Sequence, residues 1–201
     1  MNIATDMPSN PAQLKAEIRR RLRVIVARIS VAERNSWSAA VEDRLRRCRL
    51  WGEASTILFY ASMPEELDLG TLMTEALTHG KRVAIPAYQN GLDLYLPRLI
   101  TDVSADLVTG KYGIREPRPH CAATELKDND LILVPGVAFD LAGRRLGRGK
   151  GYYDHMLAGL RGRRCGVAFD AQVLEELPSE PHDIRMDYLA TPSRWCEWKR
   201  K

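Results

Sequence analysis

Four short apolar runs, arranged as two pairs with a helical segment inside each pair, constrain the fold of this chain more than any other feature of it. Thr56-Ile57-Leu58-Phe59-Tyr60-Ala61 is β-prone and lacks the polar alternation of a half-exposed strand, the pattern of a strand covered on both faces. Residues 68–79 follow with Leu72, Met73, Ala76 and Leu77 at helical spacing and Gly80 as the C-cap, and then comes a second run, Arg82-Val83-Ala84-Ile85-Pro86. The same strand, helix, strand order returns as residues 131–134, 152–160 and 164–169. Such alternation predicts a three-layer α/β/α arrangement with a mostly parallel sheet. Sites in sheets of this kind lie beyond the C-terminal strand ends, which singles out residues 63–68, the loop after Val134, and Asp170.

The rest of the chain is read around this frame. Residues 1–11 are expected to be a flexible leader. Leu14, Ile18, Leu22, Ile25 and Ile29 then mark one helix; a capping box, Ser30-Val31-Ala32-Glu33, opens a second with Trp37, Val41, Leu45 and Cys48 inward. These two helices are expected to pair. Residues 87–129 are expected to hold a strand at 92–96 of a smaller hairpin. No linker interrupts the chain, so one domain is expected over 12–194, followed by a basic tail over 195–201. With 45% apolar and 28% charged residues, 201 residues suit a single hydrophobic core. No run approaches the roughly 20 apolar residues of a membrane span, and the polar N-terminus lacks a signal-peptide core, so a cytoplasmic protein without a membrane partner is expected. Cys48, Cys121, Cys165 and Cys196 are too scattered for a zinc motif or a disulfide framework. The net charge is +4, and arginine clusters at 19–23, 44–47 and 161–164 would permit RNA binding. The first two fall on helices with apolar opposite faces and no interleaved aromatic residues, so no nucleic acid partner is expected.

The chemistry concentrates in Arg144-Arg145-Leu146-Gly147-Arg148-Gly149-Lys150-Gly151-Tyr152-Tyr153-Asp154. Three alternate glycines let backbone N–H groups approach an oxyanion, and the cations between them supply the charge a phosphate neutralises. The helix that begins at Tyr152 adds the favourable end of its dipole. The glycines match neither the P-loop nor the Rossmann spacing. Asp154, taken alone, either holds a divalent cation that bridges phosphate oxygens or complements the helix dipole.

Several segments, in order, resemble one family. Lys15 with Arg19, Met63-Pro64-Glu65-Glu66-Leu67, Tyr112-Gly113-Ile114-Arg115-Glu116-Pro117, Val134-Pro135-Gly136-Val137-Ala138-Phe139-Asp140, residues 145–154, and His182-Asp183 with Asp187 and Thr191 together resemble the 5-formyltetrahydrofolate cyclo-ligases, or methenyltetrahydrofolate synthetases. The resemblance runs from Lys15 to about Thr191. It implies a fold like that of the NagB/RpiA/CoA-transferase group. It also implies an enzyme of one-carbon metabolism that uses ATP and Mg²⁺ to convert 5-formyltetrahydrofolate, with or without a polyglutamate tail, to 5,10-methenyltetrahydrofolate. A non-catalytic nucleotide or folate binder is the alternative, and a monomer is expected.

The same resemblance implies the site. ATP would be held by Lys15, Arg19, Arg145, Leu146, Gly147, Arg148, Gly149, Lys150, Gly151, Tyr152 and Tyr153, with Arg145, Arg148 and Lys150 acting on the transferring phosphoryl group. Folate would meet Arg19, Ala61, Glu66, Tyr112 and Tyr152, with the Glu66 carboxylate accepting from the pterin's N–H donors. Asp154 and Asp183 would hold Mg²⁺. Read locally, Lys15 and Arg19 share one helix face and read as solvated helix charges; Glu66 can be a helix-terminal acid, Asp183 a turn former, and one of Tyr152 and Tyr153 a core residue.

Overall fold

A computed structural model describes residues 10–180 and 183–198. The elements run α1 (Pro11–Ala27), α2 (Val31–Arg47), α3 (Arg49–Glu53), β1 (Thr56–Leu58), α4 (Gly70–Thr78), β2 (Arg82–Gln89), β3 (Leu94–Ile100), β4 (Leu107–Thr109), β5 (Arg115–Pro117), β6 (Leu131–Pro135), β7 (Ala138–Asp140), β8 (Arg145–Leu146), α5 (Tyr152–Ala158), β9 (Arg163–Val167), β10 (Val173–Leu174), β11 (Tyr188–Ala190) and β12 (Trp195–Glu197). The main sheet has the order β12-β11-β9-β6-β1-β2-β3. Its five inner strands are parallel and both edge strands antiparallel.

Alternate residues of the inner strands face two different cores, which is why these runs are apolar throughout. Ile57, Phe59, Leu131, Leu133, Cys165 and Val167 pack with α2, α3 and α4 on one face. Leu58, Ile132, Val134 and Leu189 pack with Met156 and Leu157 of α5 and with Phe139 of β7 on the other. The expected α/β/α layering is therefore present. The capping box of α2 also forms, with Ser30 Oγ accepting from Glu33 N–H and the Glu33 carboxylate accepting from Ser30 N–H.

Four expectations are corrected. α1 does not lie chiefly along α2: Ile18, Leu22 and Ile25 pack on Ala138, Leu146 and Leu177 beside the small sheet β10-β7-β8, and only Val26 and Ile29 reach the core of α2. The first strand is shorter than its apolar run, because the chain leaves the sheet after Phe59 N–H bonds Ala84 O and turns toward residues 63–66. The strand expected at 92–96 is β3, which begins at Leu94 and pairs with β2 as an edge of the main sheet, not in a separate hairpin. Residues 195–197, assigned to a tail, form the opposite edge strand, β12, paired with β11.

The four cysteines are free thiols. No helix among the described residues is long and apolar enough to cross a membrane. Many clustered arginines are committed locally, Arg20 to Glu17, Arg46 to Glu75, Arg161 to Asp128 and Arg44 to the Thr191 and Pro192 carbonyls.

Candidate active site

The C-terminal ends of β1, β2 and β6 open onto a cleft of about 220 Å³, lined by Ala61, Met63 and Glu66 after β1, Ile85 and Pro86 of β2, Pro135 at the end of β6 with Gly136 after it, and the loop from Arg145 to Asp154. The turn that delivers this loop is fixed by Asp140, a fully buried carboxylate that accepts from the N–H groups of Ala142, Arg144 and Leu177, each at 2.9 Å. Gly149 and Gly151 have φ of +98° and +71°, a region that costs an L side chain roughly 1–2 kcal/mol. The bends that expose Lys150 therefore need glycine on both sides.

The cations of this loop occupy different environments. Arg145 is almost buried: Nη2 donates to Asp154 Oδ1 at 2.8 Å, Nη1 to Pro135 O at 3.3 Å, and its guanidinium lies 5.6 Å from the Tyr153 ring centroid. Arg148 Nη2 donates to Glu66 Oε1 at 2.8 Å and Nη1 to Glu65 Oε1 at 3.0 Å. Burial opposes the Arg148 charge, but its hydrogen bonds to Glu66 and Glu65 and their charges outweigh it and raise its pKa. Lys150 lines the cleft, is exposed, and pairs with no described residue.

Lys15 and Arg19 share a face of α1 as expected, but only one touches the loop. Arg19 Nε donates to Gly147 O at 2.8 Å. Burial lowers its pKa, and the charge of Asp183 works against that. Lys15 is held by Glu180 at 2.7 Å and Asp183 at 2.9 Å; burial disfavours its charge, yet these two carboxylates raise its pKa. Asp183 thus stands on the α1 side of the loop, in a separate hollow with Arg144, Ser179 and Glu180, while Asp154 lines the cleft. Leu146, expected among the nucleotide contacts, turns its side chain into the cluster with Leu22 and Ala138, because β8 alternates its faces.

The two tyrosines separate as helix geometry requires. Tyr152 donates to Asp93 at 3.2 Å and packs edge-on against Tyr95, with centroids 5.5 Å apart. Tyr153 lies deeper, at the floor of the cleft between the two cores. Burial pushes its phenol far above the usual range, and the Glu66 charge adds to this, so it stays neutral. The Tyr112 side chain lies outside what the structure describes; its backbone is in the 3-10 turn Lys111–Gly113, just before Ile114 and Arg115, which line the cleft. Asp170 does not line it and instead accepts from Thr191 and Ser193. His182 lies outside the described residues.

Tyr95 is a wall residue that no sequence signal marks, since only the pairing of Tyr88 with Tyr95 across β2 and β3 brings it there. Arg115, which also lines the cleft, belongs to the Tyr112–Pro117 segment, so its sequence signal is the cation within that motif. Asp106, His120 and Cys121 cluster closely enough to ligate a metal, but none of them lines the cleft. A second hollow of about 360 Å³ between α2, α3 and β11–β12 holds none of the expected site residues.

Fold and site define an α/β protein that sets a glycine- and cation-rich loop against an aromatic-walled cleft with a carboxylate at its far side. The chain belongs to the 5-formyltetrahydrofolate cyclo-ligase family, whose pattern matches residues 11–192. It is 31% identical to the 5-formyltetrahydrofolate cyclo-ligase of Mycolicibacterium smegmatis over 93% of this chain and 96% of that one. It is 34% identical to the Escherichia coli K12 enzyme of the same name over 72% and 82% of the two chains. Among solved structures it resembles 5,10-methenyltetrahydrofolate synthetase of Aquifex aeolicus, with a TM-score of 0.83, 32% identity and 94% of each chain covered.

Proposed function

We propose that this chain converts 5-formyltetrahydrofolate to 5,10-methenyltetrahydrofolate with ATP and Mg²⁺, releasing ADP and phosphate, as a cytoplasmic monomer. The observation that carries the reading is that Glu66 and Lys150 line one cleft, joined across it by the 2.8 Å ion pair between Glu66 and Arg148. A pterin held at Glu66 and a terminal phosphate held at Lys150 would be close enough for direct transfer.

A formamide oxygen is a poor leaving group. In the proposed reaction the γ-phosphoryl group passes to that oxygen with ADP leaving; N10 then attacks the activated carbon and gives up its proton to solvent, and the C–O bond breaks with phosphate carrying away the electron pair. Phosphoryl transfer asks a protein mainly for positioning and charge neutralisation. The backbone around Gly147, Gly149 and Gly151 positions the phosphates, with Arg19 bracing the loop through Gly147 O. Arg145, Arg148 and Lys150 offset the charge. Bound Mg²⁺ would supply further neutralisation of the phosphate oxygens. Asp154 presents a carboxylate to the cleft, the oxygen chemistry that a hard cation takes, whereas Asp183 stands in the neighbouring hollow in an ion pair with Lys15 and would have to exchange that partner to join it. Ala61 and Tyr152 wall the folate, and the neutral floor of Tyr153 keeps water out.

The test is the absorbance of the conjugated methenyl product, followed with each component omitted in turn. A rise that needs both ATP and Mg²⁺ is expected. A flat trace with measurable ATP binding would make the chain a non-catalytic nucleotide or folate binder.

A further inference from the structure

Glu116 of β5 is a buried carboxylate, 8% exposed, with no cation beside it among the described residues. Burying an unpaired charge is costly unless hydrogen bonds replace its hydration. Three neutral donors do so, each from a different segment: Tyr88 N–H of β2 to Oε2 at 3.0 Å, Lys111 N–H to Oε1 at 3.2 Å, and the Tyr95 hydroxyl of β3 to Oε1 at 3.4 Å. Tyr95 lines the cleft, and so do Ile114 and Arg115 of the strap that begins at Lys111. The carboxylate thus sits one layer behind the wall, bonded to Tyr95 of the wall itself and to Lys111 at the start of the strap that carries Ile114 and Arg115.

Two further observations single out this strap. A Cβ on Gly110 would fall 2.5 Å from Glu116 Cδ and 2.8 Å from Cγ, so the strap reaches the carboxylate only because residue 110 has no side chain. On the outer side, Asp93 is the one described non-glycine residue with positive φ, at 50°, and its carboxylate accepts from Tyr88, Tyr152 and Lys111. Strained backbone of this kind persists where surrounding interactions hold it. Inner and outer carboxylates together fix the strap against the Tyr88–Tyr95–Tyr152 ring cluster.

We infer that Glu116 is a positioning residue for the ring-binding wall of the cleft, holding Tyr95 and the strap at residues 111–115 in the register that accepts a flat heterocycle. It acts on the folate side and not on the phosphoryl group, since it touches no residue of the loop from Arg145 to Asp154. The inference rests on the proposed cyclo-ligase activity for its kinetic arm.

The experiment compares the full-length wild type with Glu116→Ala, Glu116→Gln and Gly110→Ala, measuring KM for 5-formyltetrahydrofolate, KM for ATP, kcat, and amide hydrogen exchange over residues 111–115. Glu116→Ala should raise the folate KM about tenfold, the equivalent of one charge-assisted hydrogen bond, and should leave kcat and the ATP KM within about twofold. Glu116→Gln, which keeps one acceptor oxygen, should recover much of the loss. Gly110→Ala, which pushes the strap off without altering the carboxylate, should move the folate KM in the same direction. In each weakened variant, exchange at 111–115 should quicken. An unchanged folate KM in Glu116→Ala, or a rise of both KM values in equal proportion, would overturn the inference. If the alanine variant does not fold, Gln and Gly110→Ala read the same constants. A wild type without turnover would instead remove the cyclo-ligase reading, and exchange at 111–115 would still decide whether Glu116 clamps the strap.

Discussion

Arg148 and Glu66, 82 residues apart in sequence, meet at 2.8 Å across the cleft. In the proposed function one guanidinium would therefore serve both the phosphate side and the pterin side. A nucleotide phosphate that takes up Arg148 competes with Glu66 for the same donors, and Glu66 is then released to accept from a pterin. The two ligands should bind with positive coupling. A non-hydrolysable ATP analogue is expected to tighten folate binding about fivefold or more, read by calorimetry with and without the analogue. Glu66→Gln should remove most of this coupling; coupling of wild-type size in that variant would show that the ion pair does not carry it.

Lys150 is the loop cation without a partner among the described residues, so its charge is available to a transferring phosphoryl group. Lys150→Ala should lower kcat by about 10²-fold with folate affinity unchanged. Because the side chain is exposed, thermal stability should stay within about 0.5 kcal/mol of wild type. Single-turnover absorbance of the product reads the first quantity and calorimetric unfolding the second; wild-type turnover would remove Lys150 from the chemistry.

Asp154 is the partner of the buried Arg145 and, in the proposed function, also the carboxylate that would hold the cation in the cleft. Asp154→Asn keeps an acceptor for Arg145 but loses the charge. The Mg²⁺ concentration for half-maximal rate should rise roughly tenfold or more, the scale on which altered ligand shells weaken metal affinity. An unaltered titration would return Asp154 to orienting Arg145 alone. The same titration of Asp183→Asn tests whether a carboxylate on the α1 side contributes.

Asp106, outside the cleft, makes an acid-stability prediction. The Thr101 and Asp102 N–H groups hold its carboxyl well below its usual pKa of 3.8, against a smaller opposing effect of burial and with help from His120 and the Thr101 hydroxyl. A depressed folded-state pKa contributes stability that is present above the unfolded value and is lost as pH falls toward the folded one. Below about pH 4, wild-type stability should therefore fall more steeply than that of Asp106→Asn, with the two curves parallel near neutrality. Denaturant unfolding at stepped pH measures this, and equal slopes would refute it.

The legible parts of this protein were those that a short window records. Continuous apolar runs at 56–61 and 131–134 announced strands covered on both faces, and Ser30 with Glu33 announced the start of α2, because burial and capping leave periodic or paired marks a few residues apart. Where such marks were misread, a long-range contact decided the outcome. The stripe Ile18, Leu22, Ile25 correctly predicts a buried helix face, but nothing in it says whether α2 or β7 will cover that face. Residues 195–197 look basic and peripheral until β11 offers them an edge to pair with.

The site divides in the same way. The sequence by itself determined the loop from Arg145 to Asp154, its glycine bends and its charge, since backbone freedom and side-chain chemistry are local properties. It also determined the kind of sheet that would carry the loop. Only the tertiary structure decided that Arg148 faces Glu66, that Lys15 is taken by Asp183 and Glu180 while Arg19 braces Gly147, and that Tyr95 stands beside Tyr152 in the cleft wall with Glu116 behind it. The Arg148–Glu66 and Tyr95–Tyr152 meetings depend on the strand order β6-β1-β2-β3 and the register of the β2–β3 pairing, and those of Lys15 and Arg19 on the packing of α1 against β7 and β8. Strand order is set by which crossovers bury the most apolar surface across the whole chain, a sum that no segment's own pattern contains.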